Sequence, residues 1–235
     1  MIDLYSFPTP NGHKVSIMLE ECGLPYRAHK IDITKGEQFD PEFLAIAPNN
    51  RIPAIVDVDG PDGAAISVFE SGAILQYLAE KTGKFMPTDA RARIACLEWL
   101  NWQMGGLGPM LGQAHHFRIY APEQVPYGIE RYTNEANRLY RVIDKRLSQA
   151  PYLAGEEYSI ADMACWGWMR TPDRQGVDIE ALPHAKAWHE SIAARPAVQR
   201  AVALFANDRK EFSQMSEEEK AQQRESFFGA KQRGE

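Results

Sequence analysis

Apolar and polar positions follow two different regimes along this chain, and the change falls near residue 85. Before it, short apolar runs of β character (Ile2 to Phe7, Tyr26 to Ile33, Ala54 to Asp57, Ala65 to Phe69) are separated by stretches with helical spacing at 13–23, 41–47 and 71–82. In the first helical stretch Val15, Met18, Leu19 and Cys22 recur at helical intervals. Asp-Gly and Gly-Pro-Asp-Gly within Asp57 to Gly63 predict the turn of a hairpin. After Pro87 the β signal fades. From 123 to 149 the residues Ile129, Tyr132, Ala136, Leu139, Ile143 and Leu147 make one apolar stripe, and further helices are predicted over 160–171, 180–194 and 196–206. The pattern predicts an α+β chain: a βαβαββα domain over 1–84, an all-helical domain over 90–206, and a polar tail over 207–235, mobile or loosely docked, with Phe227 and Phe228 as its strong apolar anchors.

Composition narrows the function classes. The chain has 235 residues and a net charge of -6 without a basic stripe, which argues against a nucleic-acid partner. No apolar run approaches the roughly 18 residues of a membrane span, no membrane partner is predicted, and no targeting motif opens the sequence, so a cytoplasmic protein is expected. Cys22, Cys96 and Cys165 are odd in number, far apart and outside any Cys-x-x-Cys spacing; each is expected to pack as a small apolar residue. His115 and His116 are adjacent and so do not share a helical face, and no metal site is predicted. Gly105 to Gly112 lacks the Gly-Lys-Ser/Thr ending of a phosphate loop and follows a helix; a kink at Gly-Pro that allows close approach of a ligand or partner chain is the better account.

Three segments carry candidate chemistry. Pro8-Thr-Pro-Asn-Gly-His-Lys14 lies between the first strand and the first helix, where free N–H groups and the helix dipole favour an anion such as a thiolate. A free thiol with a pKa of about 8.5 is only a few per cent ionised at neutral pH, and the Thr9 hydroxyl and Asn11 amide are donors that favour the anion. Within Asn49-Asn-Arg-Ile-Pro-Ala54 a cis Ile52-Pro53 bond would turn the Ile52 N–H and C=O outward for an extended peptide; a trans proline starting an edge strand is the alternative. In Phe69-Glu-Ser-Gly72, Ser71 is a natural N-cap that either serves the helix alone or also binds a ligand carboxylate, and Glu70 could pair with a neighbouring amine. Ser159-Ile-Ala-Asp162 fits a capping box and reads as a folding element. Tyr5 falls within the apolar first strand and counts as core, while Trp99, Trp102, Phe117 and Trp166 line either core or an acceptor pocket.

Together these residues resemble the glutathione transferases, with a thioredoxin-like N-terminal domain and an all-helical C-terminal domain. The likeness covers roughly 1–205 and rests on Thr9-Pro-Asn-Gly-His-Lys14, Asn50-Arg-Ile-Pro-Ala54, Phe69-Glu-Ser-Gly72 and Tyr158-Ser-Ile-Ala-Asp162. Gly105 to Gln113, His115-His-Phe117 and Pro126 to Tyr132 are similar to the bacterial Nu class, the glutathione-dependent disulfide-bond oxidoreductases. Pro8 to Lys14 then fills the slot where a redox domain of this fold carries its nucleophilic cysteine. The resemblance implies that Asn11 and Thr9 lie nearest the glutathione sulfur, that Gln38 and Arg51 hold the glycine end, and that Ile52, ahead of Pro53, pairs its backbone with the cysteinyl residue. Glu70 and Ser71 would take the γ-glutamyl amine and carboxylate, and Arg131 would reach the site of the partner subunit in a homodimer. It implies glutathione as co-substrate, with two reduced molecules or the oxidised form accommodated, and a small disulfide as substrate. A conventional transferase or peroxidase, and a non-catalytic interaction module, are the alternatives; the peptide-carboxylate features at Glu70, Ser71 and Ile52-Pro53 tell against the module.

Overall fold

The computed structural model describes residues 1–208 and 210–233. Its contacts divide the chain into two compact units, Met1–Ile74 with the described residues from Arg200 onward, and Leu75–Gln199. In the first unit β1 (Ile2–Ser6), β2 (Tyr26–Lys30), β3 (Ala54–Asp57) and β4 (Ile66–Phe69) form one sheet in the order β2-β1-β3-β4. β1 and β2 are parallel and are joined by α1 (Pro10–Cys22); β3 is antiparallel to β1, and β4 to β3. With α2 (Pro41–Ile46) before β3 and α3 (Ser71–Thr82) after β4, the order is the βαβαββα of a thioredoxin-like domain.

The central strands are the more buried ones, as their position requires: Ile2, Leu4, Ala54 and Ile55 are sealed from solvent, whereas every residue of the edge strands β2 and β4 is half-buried or exposed. Phe7, Phe43, Ala47, Ile52 and Ala54 form a core cluster, with Tyr5, Ile31, Ile33 and Ile46 packed on it. α1 is buried without interruption from Gly12 to Leu19, so it is a core helix and not an amphipathic surface one. It starts at Pro10, three residues before the predicted start, because proline at the first helical position lacks only an N–H that would have no helical partner.

The second unit is helical. α4 (Ala90–Trp102) packs against α7 (Ile160–Trp166), α5 (Gly108–His115) against α6 (Pro126–Leu147), and α6 against α9 (Pro183–Ala193). α8 (Pro172–Gln175) lies between α7 and α9 in sequence, and α10 (Pro196–Ala203) follows. The predicted helix over 160–171 stops at Trp166 and passes through a 3-10 turn, since the extended φ of Thr171 ahead of Pro172 cannot continue it. Gly105 to Gly112 remains helical, through a π turn at Gln103–Leu107 and then α5. A Cβ at Gly108 would fall 2.5 Å from Gln103 Nε2 and 3.3 Å from the Trp168 ring, and one at Gly112 3.3 Å from the same ring, so the close approach these two glycines allow is to side chains of the same chain.

Asp162 organises this unit. Its carboxylate accepts from the Ser159 N–H at 3.0 Å and hydroxyl at 3.1 Å, the Leu153 N–H at 3.0 Å and Trp188 Nε1 at 2.9 Å. Ser159 Oγ in turn accepts from the α7 N-terminus, completing a capping box. Burial pushes the Asp162 carboxyl pKa up and the four donors oppose it.

The segment from 207, expected as a polar tail, contains α11 (Glu217–Phe228), started by a Ser216/Glu219 capping box. Its buried residues are Phe212, Gln223 and Ser226, with Lys220 and Arg224 of α11 over the Phe212 ring, while the expected anchor Phe228 is 48% exposed. Ser226 Oγ donates to the Ile33 carbonyl at 2.6 Å and accepts, with its own carbonyl, from Gln38 Nε2 at 3.2 and 3.3 Å. Lys30 to Asp208 and Arg200 to Glu20, each at 2.7 Å, hold the preceding residues to the same unit.

Two predictions concern stability. Asp162→Asn replaces one acceptor oxygen by an amide that faces donors, and urea denaturation should show a loss of about 2–4 kcal/mol; a loss below about 0.5 kcal/mol would contradict the assigned network. His189, stacked on Trp166 at 5.2 Å, has its pKa lowered to about 4 by burial and by Arg170. The unfolded chain therefore takes up that proton first, and stability complete above pH of about 6.5 falls as pH drops toward about 4. His189→Gln should flatten that slope by at most about 3 kcal/mol in denaturation curves taken across this range.

Candidate functional site

The sheet register sets Tyr5 opposite Ala54 and Ala54 opposite Phe69. The end of β1, the start of β3 and the end of β4 therefore share one sheet edge, about 10 Å across at ordinary strand spacing. Three turns leave that edge. They carry Thr9 and Asn11, then Arg51, Ile52 and Pro53, then Glu70 and Ser71.

Thr9 is the N-cap of α1: its backbone is extended and its Oγ1 accepts from the Gly12 N–H at 3.1 Å. That bond uses an oxygen lone pair and leaves the hydroxyl proton to be donated. Asn11 sits half-buried in the first turn, which contains no acidic residue to oppose an anion. Gly12 makes the junction possible, because a Cβ there would fall 2.2 Å from the Phe7 carbonyl oxygen. The second turn has a cis Ile52-Pro53 bond, and Ile52 makes no backbone hydrogen bond to the described residues. Arg51 is exposed and donates to Asn50 Oδ1 at 2.6 Å; partial desolvation lowers its pKa.

In the third turn Glu70 has φ +69°, a left-handed conformation that favours glycine. Its carbonyl accepts from the Ile74 N–H at 2.9 Å, which starts α3, and its exposed carboxylate accepts from Asn49 Nδ2 at 3.1 Å. Ser71, expected as the N-cap, is instead the first residue of α3, because the first helical bond runs from the Ile74 N–H to the Glu70 carbonyl and puts Glu70 at the cap position; Ser71 is 7% exposed. Lys14, on α1, is 1% exposed, and its Nζ donates to Ser71 Oγ at 3.4 Å. Sequence reasoning passed over Lys14. The available signal was a lysine in a helix with no polar face, next to Val15, Ile17, Met18 and Leu19.

The remaining predicted residues belong to other elements of the chain. Gln38 is 3% exposed in a short turn, with its amide donors directed to Ser226 and its Oε1 without a partner among the described residues. Arg131 is on the exposed face of α6, its guanidinium 5.8 Å from the Tyr132 ring centroid. Ser159 and Asp162 serve the α7 cap. Tyr5 stacks on His29 at 4.7 Å and packs with the core, and burial raises its pKa, aided by Asp3. The three cysteines are buried thiols; Cys22 closes the far end of α1, about 20 Å from Thr9 at about 1.5 Å per residue. Trp99 pairs edge-on with Trp102, Phe117 stacks on Tyr132, and Trp166 stacks on His189. Among the described residues no helix is long and apolar enough to cross a membrane, and no three His, Cys, Asp or Glu side chains gather as metal ligands.

Comparison with known proteins is decisive for the family. Residues 9–81 match the glutathione S-transferase N-terminal domain and residues 112–196 the C-terminal domain. The chain belongs to the glutathione S-transferase family. It is 58% identical over 203 residues to the disulfide-bond oxidoreductase YfcG of Escherichia coli (strain K12), covering 86% of this chain and 94% of that one. Among solved structures it resembles a glutathione transferase family member from Pseudomonas fluorescens pf-5 with two glutathione bound (TM-score 0.82, 46% identity, 86% of this chain and 92% of that one). A glutathione transferase from Pseudomonas putida, with one glutathione disulfide bound per subunit, is equally similar in fold (TM-score 0.82, 44% identity, 86% and 90% covered).

In this glutathione S-transferase the left-handed Glu70 is a local cost accepted at the site. Glu70→Gly should raise the stability by about 0.5–1 kcal/mol in thermal or urea denaturation, since glycine adopts this backbone without a Cβ conflict and also suits an N-cap. A destabilised variant would show that the carboxylate's bond to Asn49 outweighs the backbone term.

Proposed function

We propose that the protein is a glutathione-dependent disulfide-bond reductase in which bound glutathione, and not a protein cysteine, supplies the thiolate. The observation that carries this reading is the pair of donors, Thr9 and Asn11, standing at the N-terminus of α1 while Cys22 sits at the opposite end of that helix. The likeness to YfcG, a disulfide-bond oxidoreductase, supports it. So does the bound state of the two Pseudomonas structures, one with two glutathione and one with glutathione disulfide. The edge of about 10 Å is also close to the length of an extended tripeptide.

In the proposed complex the sulfur lies at Thr9 and Asn11, the cysteinyl backbone pairs with Ile52, and Glu70 and Ser71 receive the γ-glutamyl amine and carboxylate. Arg51 meets the glycine carboxylate. Gln38 joins it only if its amide leaves Ser226. Arg131 serves the site of the partner subunit in a homodimer. The chemistry is thiol–disulfide exchange. A glutathione thiolate attacks one sulfur of the substrate disulfide; that S–S bond breaks, a mixed disulfide forms and the other substrate sulfur leaves as a thiolate that takes a proton. A second glutathione thiolate attacks the glutathione sulfur of the mixed disulfide, releasing the second substrate thiol and glutathione disulfide. Two glutathione molecules are oxidised together and one disulfide is reduced. The protein holds charge and geometry and forms no covalent bond.

The test is glutathione oxidation with a small disulfide such as bis(2-hydroxyethyl) disulfide, measured beside an aromatic halide and an organic hydroperoxide. Activity should survive in the Cys22→Ala/Cys96→Ala/Cys165→Ala variant and fall about 10- to 100-fold in Asn11→Ala, the worth of one donor to a charged acceptor. An inert but folded cysteine-free protein would refute the ligand-thiol mechanism. Turnover confined to the halide or the peroxide would move the protein to the conventional transferases or peroxidases, and failure to bind glutathione would leave an interaction module.

A further inference from the structure

A lysine sealed from solvent is uncommon, because desolvating an ammonium costs free energy that must be offset locally. Lys14 is 1% exposed on the core helix α1, and its ammonium donates to the hydroxyl of Ser71, itself 7% exposed, at 3.4 Å. A hydroxyl that accepts from an ammonium points its own proton to another acceptor. Ser71 begins α3, a helix of 12 residues whose first turn is the positive end of its dipole. Three groups of one electrostatic sign therefore converge at the end of β4: the dipole, the Ser71 hydroxyl proton and the Lys14 charge behind it. Glu70, adjacent but exposed and turned by its left-handed backbone, supplies the opposite sign for an amine.

We propose that Lys14 is a positioning residue for the carboxylate end of the ligand: it fixes Ser71 as a donor toward that carboxylate and selects for ligands that carry the negative charge there. The proposal rests on the glutathione reading above and assigns Lys14 to one group of that ligand, the α-carboxylate of the γ-glutamyl residue. At the separation implied by one intervening hydroxyl, about 6 Å, a partly desolvated charge pair is expected to change affinity by about tenfold or more.

The experiment compares the dissociation constants of glutathione and of glutathione amidated at the γ-glutamyl α-carboxylate, by calorimetry, for the wild type, Lys14→Met and Lys14→Gln. Methionine fills the stem volume without charge, and glutamine keeps a donor near Ser71 without charge. Both variants should bind glutathione about tenfold more weakly while their affinity for the amide stays within about twofold of wild type. In turnover, the loss should fall on KM for glutathione, with kcat nearly unchanged. Thermal denaturation checks folding, and if Lys14→Met is unfolded the glutamine variant carries the same comparison. Equal weakening of both ligands would overturn the proposal and leave Lys14 a structural residue. Wild-type protein that binds neither ligand would overturn the glutathione reading and this proposal with it, a result distinct from equal weakening.

Discussion

The hydrogen-bond register that aligns Tyr5, Ala54 and Phe69 across β1, β3 and β4 is the constraint on which the site depends. Each of the three turns is short, so its side chains are placed by where its strand ends. Ala54 and Ile55 are both fully buried on opposite faces of β3, so a slip of one residue against β1 would exchange a small and a large side chain between two packed faces and break the fit of the core cluster. Burial on the central strands thus specifies the register, and the register specifies the edge. Two side-chain bonds then tie the turns to each other: Asn49 to Glu70 joins the second to the third, and Lys14 to Ser71 joins the first helix to the third turn.

The three turns differ in how their backbones meet this demand. The first uses ordinary cap geometry, helped by a glycine that lets α1 approach the end of β1. The third places a glutamate where glycine would be more comfortable. A glycine at that place would keep the turn and lose the only acidic side chain of the segment, so the backbone cost is better understood as the cost of having a carboxylate beside Ser71. Charge is sorted accordingly, positive inside at Lys14 and negative outside at Glu70.

Much of this was legible in the chain itself. Period-2 and helical patterning gave the βαβαββα order, and the Thr-Pro-Asn-Gly, Arg-Ile-Pro and Glu-Ser-Gly segments marked the three turns because proline, glycine and cap residues act on the nearest few residues. What could not be read depended on contacts between distant parts of the sequence. Gln38 and Ser226 meet across 188 residues, and a polar helix docked by glutamine and serine has no apolar stripe to reveal it. Trp168 fills the space opposite Gly108 and Gly112, a relation that spacing does not encode. Lys14 was hidden for a different reason: helical periodicity ranks positions by hydrophobicity, and a lysine scores as surface even when the helix around it is wholly buried.

The proposed placement of the nucleophile on the ligand has a physical consequence. A cysteine held as a thiolate at a helix N-terminus is exposed to stepwise oxidation, and its disulfide with a substrate must be resolved before the protein can act again. Here Cys22, Cys96 and Cys165 are all buried, and burial is the leading influence that pushes the Cys96 thiol pKa up, away from thiolate character. Under the proposed mechanism every oxidised sulfur leaves with a ligand, and the donors that remain, the Thr9 hydroxyl, the Asn11 amide and the α1 N-terminus, have no redox state to restore. On that mechanism the fold keeps the electrostatic half of a redox site and leaves the half that is consumed to a molecule that can be replaced at each turnover.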